Sequence, residues 1–305
     1  MIKRYVYKNL VWVNLESPTT DEVREIMHEF SLHPMVAEEL LVPTSKPKVD
    51  LYKNCIYLIL HFPTLSKDEK ESHTGKEIDF VVGKEFIITT AYDSIEPLHN
   101  FSKIFEVNAI LDKSEIGDHA GFIFYYMIKK LYRSMGQELD HIKTSLQNTE
   151  SHIFNGKAKK MVRELSDIGH DLLDFKQATR SHREVLQSFA TNGIKFFGND
   201  FSYYLEDIIS EYQKTYNALE NNKDFLSELR ETNDSLVSTQ QNEIVKNLTV
   251  IAFLTLPASL IANIFTMGAS DISLKSLPAD FWTVISIMLA ISICMFSYFK
   301  HKDWI

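Results

Sequence analysis

The apolar positions of this chain follow three successive rhythms, and each predicts a different kind of element. Over residues 1–116, short runs of β-branched and aromatic residues alternate with amphipathic stretches. YVYKNLVWVNL from Tyr5, NCIYLILHF from Asn54, and the pair IDFVVG and EFIITTAY around Gly83 read as strands. Between the first two, DEVREIMHEF from Asp21 has helical spacing, with Thr20 placed to cap it and Asp21 and Glu22 at the positive end of its dipole. PTSKPK from Pro43 is a connector into the second strand. This part is predicted to be an α/β domain.

From Gly117 the period becomes helical almost throughout, and residues 117–247 are predicted to form a long helical stalk. Breaks are expected at Asn155-Gly156 and across Asn192-Gly193 and Gly198-Asn199, giving two helices of about thirty to forty residues and then a far longer one. Asn199 or Asp200 can cap the third, and neither Pro nor Gly interrupts it before Pro257. Continuous over 199–267, it would be about 100 Å long. Leu219, Leu226, Leu229 and Leu236 recur at heptad-like spacing, as a helix packed against partners requires.

The third rhythm is apolar all round. LTVIAFLTLPASLIANIFTM (248–267) and FWTVISIMLAISICMFSYF (281–299) contain no charged residue, and a helix of roughly 20 residues covers the ~30 Å core of a bilayer. Buried core helices normally keep a polar stripe, so two membrane spans are the expectation, joined by an outer loop over 268–280. Lys246 precedes the first span and Lys300, His301 and Lys302 follow the second in a basic tail, 300–305, whereas the loop holds only Lys275. The positive-inside rule then puts both termini in the cytoplasm and the chain, multi-pass, in a cytoplasmic-type (inner) membrane. The start of the chain, MIKRYVYKNLVWVNL, has no uninterrupted apolar core and is not expected to be a secretory signal.

Composition narrows the function classes only slightly. Cys55 and Cys294 are expected to be packing residues in a reducing compartment. A net charge of −9 argues against nucleic acid as a partner and suits a protein that attracts cations. No phosphate-binding loop or nucleophile motif is present, so no enzyme is expected. The eleven histidines show no zinc spacing, and Asp167, His170, Asp171 and Asp174, though ligand-like in spacing, read rather as a solvated helix face.

Within the first span, alternate steps of four and three from Ser238 trace Asn242, Val245, Thr249, Ala252, Leu256, Ser259, Asn263 and Thr266 along one face, small or polar at most positions. Such a stripe suits either a tight helix–helix seam or the wall of a water-filled pore. Asn263 favours the pore, because an amide deep in a span is costly unless it meets water or a hydrogen-bonding partner. One helix cannot enclose a pore, so several copies of the chain would have to surround a symmetry axis.

NEIVKNLTVIAFLTLPASLIANIF (242–265) closely resembles the first span of the CorA family of divalent-cation channels, and the likeness extends to HPMVAEELL, KPKVDLY and the tail FSYFKHKDWI. What the resemblance implies is a funnel-shaped homopentamer of α/β cytoplasmic domains and stalk helices, a coiled-coil-like core, five first spans lining the pore and five second spans outside. Asn242, Leu248, Thr249, Leu256 and Ser259 match pore-facing or gating positions, with Leu248 and Leu256 as hydrophobic constrictions, and Glu231 matches an acidic position of the inner vestibule. Acidic residues between cytoplasmic domains bind the transported ion in that family, and Asp207 is the candidate here. Where the family has Tyr-Gly-Met-Asn, this chain has Phe265, Thr266, Met267 and Gly268. Asn263, Thr266 and, at the outer mouth beside Gly268, the loop carboxylates Asp271 and Asp280 could take over from the missing asparagine. The function expected is passive flux of Mg²⁺, Co²⁺ or Ni²⁺, with no covalently bound cofactor. The rivals are a zinc (Zn²⁺) transporter of the same fold, proton-coupled or not, and a non-conducting membrane scaffold or sensor.

Overall fold

The computed structural model describes residues 2–63, 75–110, 117–266 and 280–302. The chain divides into two compact units, Met1–Arg230 and Glu231–Ile305.

The first unit is built on a six-stranded sheet of β1 (Ile2–Tyr7), β2 (Leu10–Glu16), β3 (Lys48–Leu51), β4 (Cys55–Phe62), β5 (Lys76–Gly83) and β6 (Phe86–Ala91), in the order β1-β2-β6-β5-β4-β3. Only the β2–β6 pair is parallel. The run expected as one strand from Tyr5 is a hairpin. Its turn is made by Lys8, whose φ of 52° puts a non-glycine residue in the left-handed region, a choice no Gly announces. Helix α1 (Thr20–Glu29) starts one residue earlier than expected: Thr19 is the cap, receiving the Glu22 N–H while the Glu22 carboxylate accepts the Thr19 N–H. Helix α2 (Pro34–Glu39) follows.

β4 and β5 are buried along almost their whole length because helices cover both faces of the sheet. On one face Cys55, Tyr57, Ile59, Val81 and Ile88 meet Val23, Ile26, Val36 and Leu40 of α1, α2 and the residue that follows. On the other, the Trp12 ring packs against Phe101 and Phe105 of α3 (Glu96–Ile110), and Phe80 packs against Phe124 of α4 (Gly121–His152). Each fully buried side chain of this size contributes on the order of 2–3 kcal/mol. The indole of Trp12 remains hydrogen-bonded, donating to Thr89 Oγ1 at 2.9 Å, and that hydroxyl donates to Asn14 Oδ1 at 2.8 Å.

The helical part departs from expectation in its second segment. The break at Asn155-Gly156 is present, with Gly156 at φ 80° in a π turn, Ile153–Lys157. Beyond it, one long helix was expected; instead α5 (Ala158–Thr179) and α6 (His182–Phe197) are separated at Arg180–Ser181. No glycine or proline marks that site. It is fixed by the next residue, fully buried His182, whose Nε2 donates to the His61 carbonyl at 2.8 Å while Nδ1 accepts from the Tyr132 hydroxyl at 2.7 Å. Asn192-Gly193 is not a break: α6 runs through it, and a side chain at Gly193 would meet Leu205 at 3.1 Å, so the glycine there serves close packing. Gly198, at φ 107°, does end α6, and a 3-10 turn, Asn199–Phe201, leads into α7 (Ser202–Thr266).

The Asp207 carboxylate, near the start of α7, accepts from Lys129 Nζ at 2.6 Å and from the Tyr125 hydroxyl at 2.7 Å, both on α4. Those hydrogen bonds hold the Asp207 carboxyl below the usual carboxylate range and raise Lys129 to about 12.

In the second unit, α8 (Asp280–His301) follows the last stretch of α7, and both are long and apolar enough to cross a membrane, with very little of either apolar stretch buried by the rest of the chain.

Two outcomes follow from the first unit. Burial pushes His182 down to about 4, so the stability its neutral ring contributes is complete above about pH 6.5 and lost as pH falls toward 4. Thermal unfolding across that window is expected to show the loss, and His182→Gln is expected to flatten it. A double-mutant cycle with Lys129→Met and Asp207→Asn is expected to give a coupling of about 1 kcal/mol, shrinking in high salt.

Candidate functional site

Helix α7 changes its surroundings along its length, and the residue pattern shows where. From Ser238 to Val245 every side chain is exposed, and most are polar. Beyond Lys246 the helix becomes apolar, and the environment that suits it must change with it.

In this stretch Val250 is 5% exposed, and the Phe253 ring lies 6.2 Å from that of Phe299, itself 7% exposed, near the end of α8. This contact gives the first span a side that faces its own chain. Taking 100° per residue, Leu248, Ala252, Ser259 and Asn263 lie within about 40° of the point diametrically opposite Val250. Val245 shares that side, while Asn242, Thr249 and Leu256 sit on one shoulder of it. Leu248 and Leu256 are 66% and 64% exposed, and Asn242, Val245, Ser259 and Asn263 are exposed as well, with Thr249 and Ala252 partly covered. The stripe expected from the sequence is thus exposed at most of its positions, as are Ile251, Phe253, Leu260 and Ile264 on the other sides of a helix that the rest of the chain covers very little.

The polar atoms of this stretch are handled in two ways. Thr249 Oγ1 donates to the Val245 carbonyl at 2.7 Å and Thr255 Oγ1 to the Ile251 carbonyl at 3.0 Å, so both hydroxyl protons are spent within the helix and both oxygens keep lone pairs to offer. Pro257 has no N–H to give to the Phe253 carbonyl.

Glu231 is exposed on α7, eleven residues before Asn242. Thr266 is the last residue of α7 and Asp280 the first of α8. Gly268 and Asp271 lie outside the described residues. Asp207 stands apart from the stripe in the first unit, where Lys129 supplies the positive charge beside it. Sequence reasoning missed Lys129 and Tyr125 as its partners, although their spacing of four on α4 was the available signal. Among the described residues no three His, Cys, Asp or Glu side chains converge to hold a metal ion; Asp167, His170, Asp171 and Asp174 lie on α5.

The stripe can do little chemistry in one copy of the chain. It has no nucleophile and no paired acid and base. It offers leucine side chains, hydroxyl oxygens and the amides of Asn242 and Asn263.

The chain has relatives with this fold. The cobalt/magnesium transport protein CorA of Thermotoga maritima is 24% identical over 298 residues, 96% of this chain and 83% of that protein. The cobalt/magnesium transport protein CorA of Methanocaldococcus jannaschii is 19% identical over 296 residues, covering 97% and 92% of the two chains. The complete structure of the magnesium transporter CorA from that organism superposes with a TM-score of 0.83 at 17% identity, over 97% of this chain and 92% of the other. The model of the family described as CorA-like Mg²⁺ transporter protein matches residues 7–301, nearly the whole chain, and this chain therefore belongs to the CorA family.

Proposed function

We propose that this chain transports divalent metal cations across a membrane as a homopentamer, with α7 from each copy lining the pore and α8 outside it. The observation that supports this most directly is the small and polar stripe of α7, exposed at most of its positions, in a chain of the CorA family. Residues 248–267 and 281–299 are then the spans, 268–280 the outer loop, and residues 1–116 and 117–247 the cytoplasmic α/β domain and stalk, with both termini cytoplasmic.

In this reading Leu248 and Leu256 form two apolar rings. A ring of leucines too narrow to stay wet stops an ion, and widening it opens the path. Asn242 and Glu231 face the cytoplasmic approach, where carboxylates raise the local cation concentration. Asn263 contributes a ring of amides about two turns beyond Leu256, placed to hold an ion through its hydration shell, as suits a cation that sheds water reluctantly. Thr266, Asp271 and Asp280 would lie toward the outer mouth. No energy source beyond the gradient is required: each elementary charge crossing 100 mV releases roughly 2.3 kcal/mol, and a divalent ion about twice that.

Reconstituted into liposomes, the protein is expected to pass Mg²⁺, Co²⁺ or Ni²⁺ in preference to K⁺. Asn263→Leu is expected to lower that flux roughly tenfold, the worth of one lost polar contact per ion, and Leu256→Ala to raise the leak of the closed state. Zinc flux that exceeds magnesium flux and follows a pH gradient would instead support a zinc transporter. Absence of any cation flux from correctly assembled protein would leave a scaffold or sensor.

A further inference from the structure

Away from α7, the sheet of the first unit buries two acids side by side. Glu77 and Asp79 alternate with apolar residues on β5 and therefore point to the same face of the sheet, 7% and 0% exposed. The groups around them come from every neighbouring element. From β4, the Tyr57 hydroxyl donates to Asp79 Oδ2 at 3.2 Å, and His61 Nε2 lies 2.8 Å from the Thr44 carbonyl and 3.4 Å from Glu77 Oε2. The Thr44 N–H donates to Glu77 Oε2 at 2.6 Å. Just past β6, the Tyr92 hydroxyl is within reach of both Asp79 Oδ2, at 3.4 Å, and the Glu39 carbonyl, at 3.2 Å, and its single proton can serve only one of them. The Glu39 carboxylate at the end of α2 and Asp50 of β3 both hold Lys48, at 2.6 and 2.7 Å, so the nearby lysine already has two carboxylates.

No lysine or arginine among the described residues forms an ion pair with Glu77 or Asp79. Moreover, Glu77 Oε1 and Asp79 Oδ1 are buried without a hydrogen-bond partner, although the two acids lie within hydrogen-bonding reach of each other. Two buried carboxylates cannot both stay ionised at such range without a cation. One proton placed between them removes a charge and satisfies both orphaned oxygens at once.

We propose that Glu77 and Asp79 form a proton-sharing pair that keeps one proton at neutral pH, so that packing of α2 and the segment around Thr44 onto the sheet depends on proton binding. Burial and the neighbouring Glu77 carboxylate both raise the Asp79 carboxyl well above its ordinary range. The native state then holds a proton that the unfolded chain releases at about pH 4. The pair's contribution is complete below that pH and declines as pH rises through the native value, opposite in direction to the effect of His182.

The test uses the full-length protein in detergent and infrared spectroscopy, in which the carbonyl stretch of a protonated carboxylic acid stands apart from the amide bands. Wild type at neutral pH is expected to show that stretch, shifted by carboxyl-labelled aspartate or glutamate and lost in both Asp79→Asn and Glu77→Gln. Thermal unfolding from about pH 5 to about pH 9 is expected to lose part of its pH dependence in Asp79→Asn, whose amide can donate to Glu77 at every pH. Should Asp79→Asn fail to fold, the labelled wild type and Glu77→Gln decide. Absence of the stretch in wild type at neutral pH, as would follow if His61 held the proton instead, would overturn the proposal. So would a stretch that survives both substitutions.

Discussion

Inside a bilayer no water completes a backbone hydrogen bond, so a segment that enters one must satisfy its N–H and C=O groups within itself. Among the described residues the second unit meets this requirement with the last stretch of α7 and with α8. The division explains why the two units are made so differently. Water drives the sheet of the first unit inward between helices, giving strands that are buried on both faces. Lipid removes that drive, and helix contacts there rest on shape and on a few ring contacts such as that of Phe253 with Phe299.

The same contrast governs polar groups. In the first unit they are drawn into the core and matched one against another: Trp12 with Thr89 and Asn14, His182 between Tyr132 and His61, Asp207 between Lys129 and Tyr125. Each match fixes two elements relative to one another, because a buried donor or acceptor left alone costs roughly 1–3 kcal/mol. Along the apolar part of α7, several polar side chains are instead exposed, Ser259 and Asn263 among them, and the Thr249 hydroxyl is bonded to its own helix.

How legible this was in the sequence depended on the kind of signal. Charge-free runs are a strong signal, and the described residues of both runs lie on helices, as do Ser259 and Asn263. Turns announced by glycine were found at Gly156 and Gly198, where positive φ demands it. Turns without such residues were missed: Lys8 closes a hairpin and Arg180–Ser181 divides α5 from α6, and in the second case the deciding group, His182, acts through partners fifty and more positions away. Gly193 misled in the opposite direction, its missing side chain making room for Leu205 rather than ending a helix. Glu77 and Asp79 drew no notice in the sequence, since nothing local says that both faces of β5 are covered.

Pro257 sits in the middle of the first span, one residue beyond Leu256. The bond it cannot make to the Phe253 carbonyl is the one that would resist bending at that level, and helices yield most readily at such points. Leu248 and Ala252 lie on one side of this weak point and Ser259 and Asn263 on the other. The stripe is consequently two rods in series, joined at the leucine, and the outer rod can tilt without dragging the inner one through the same angle.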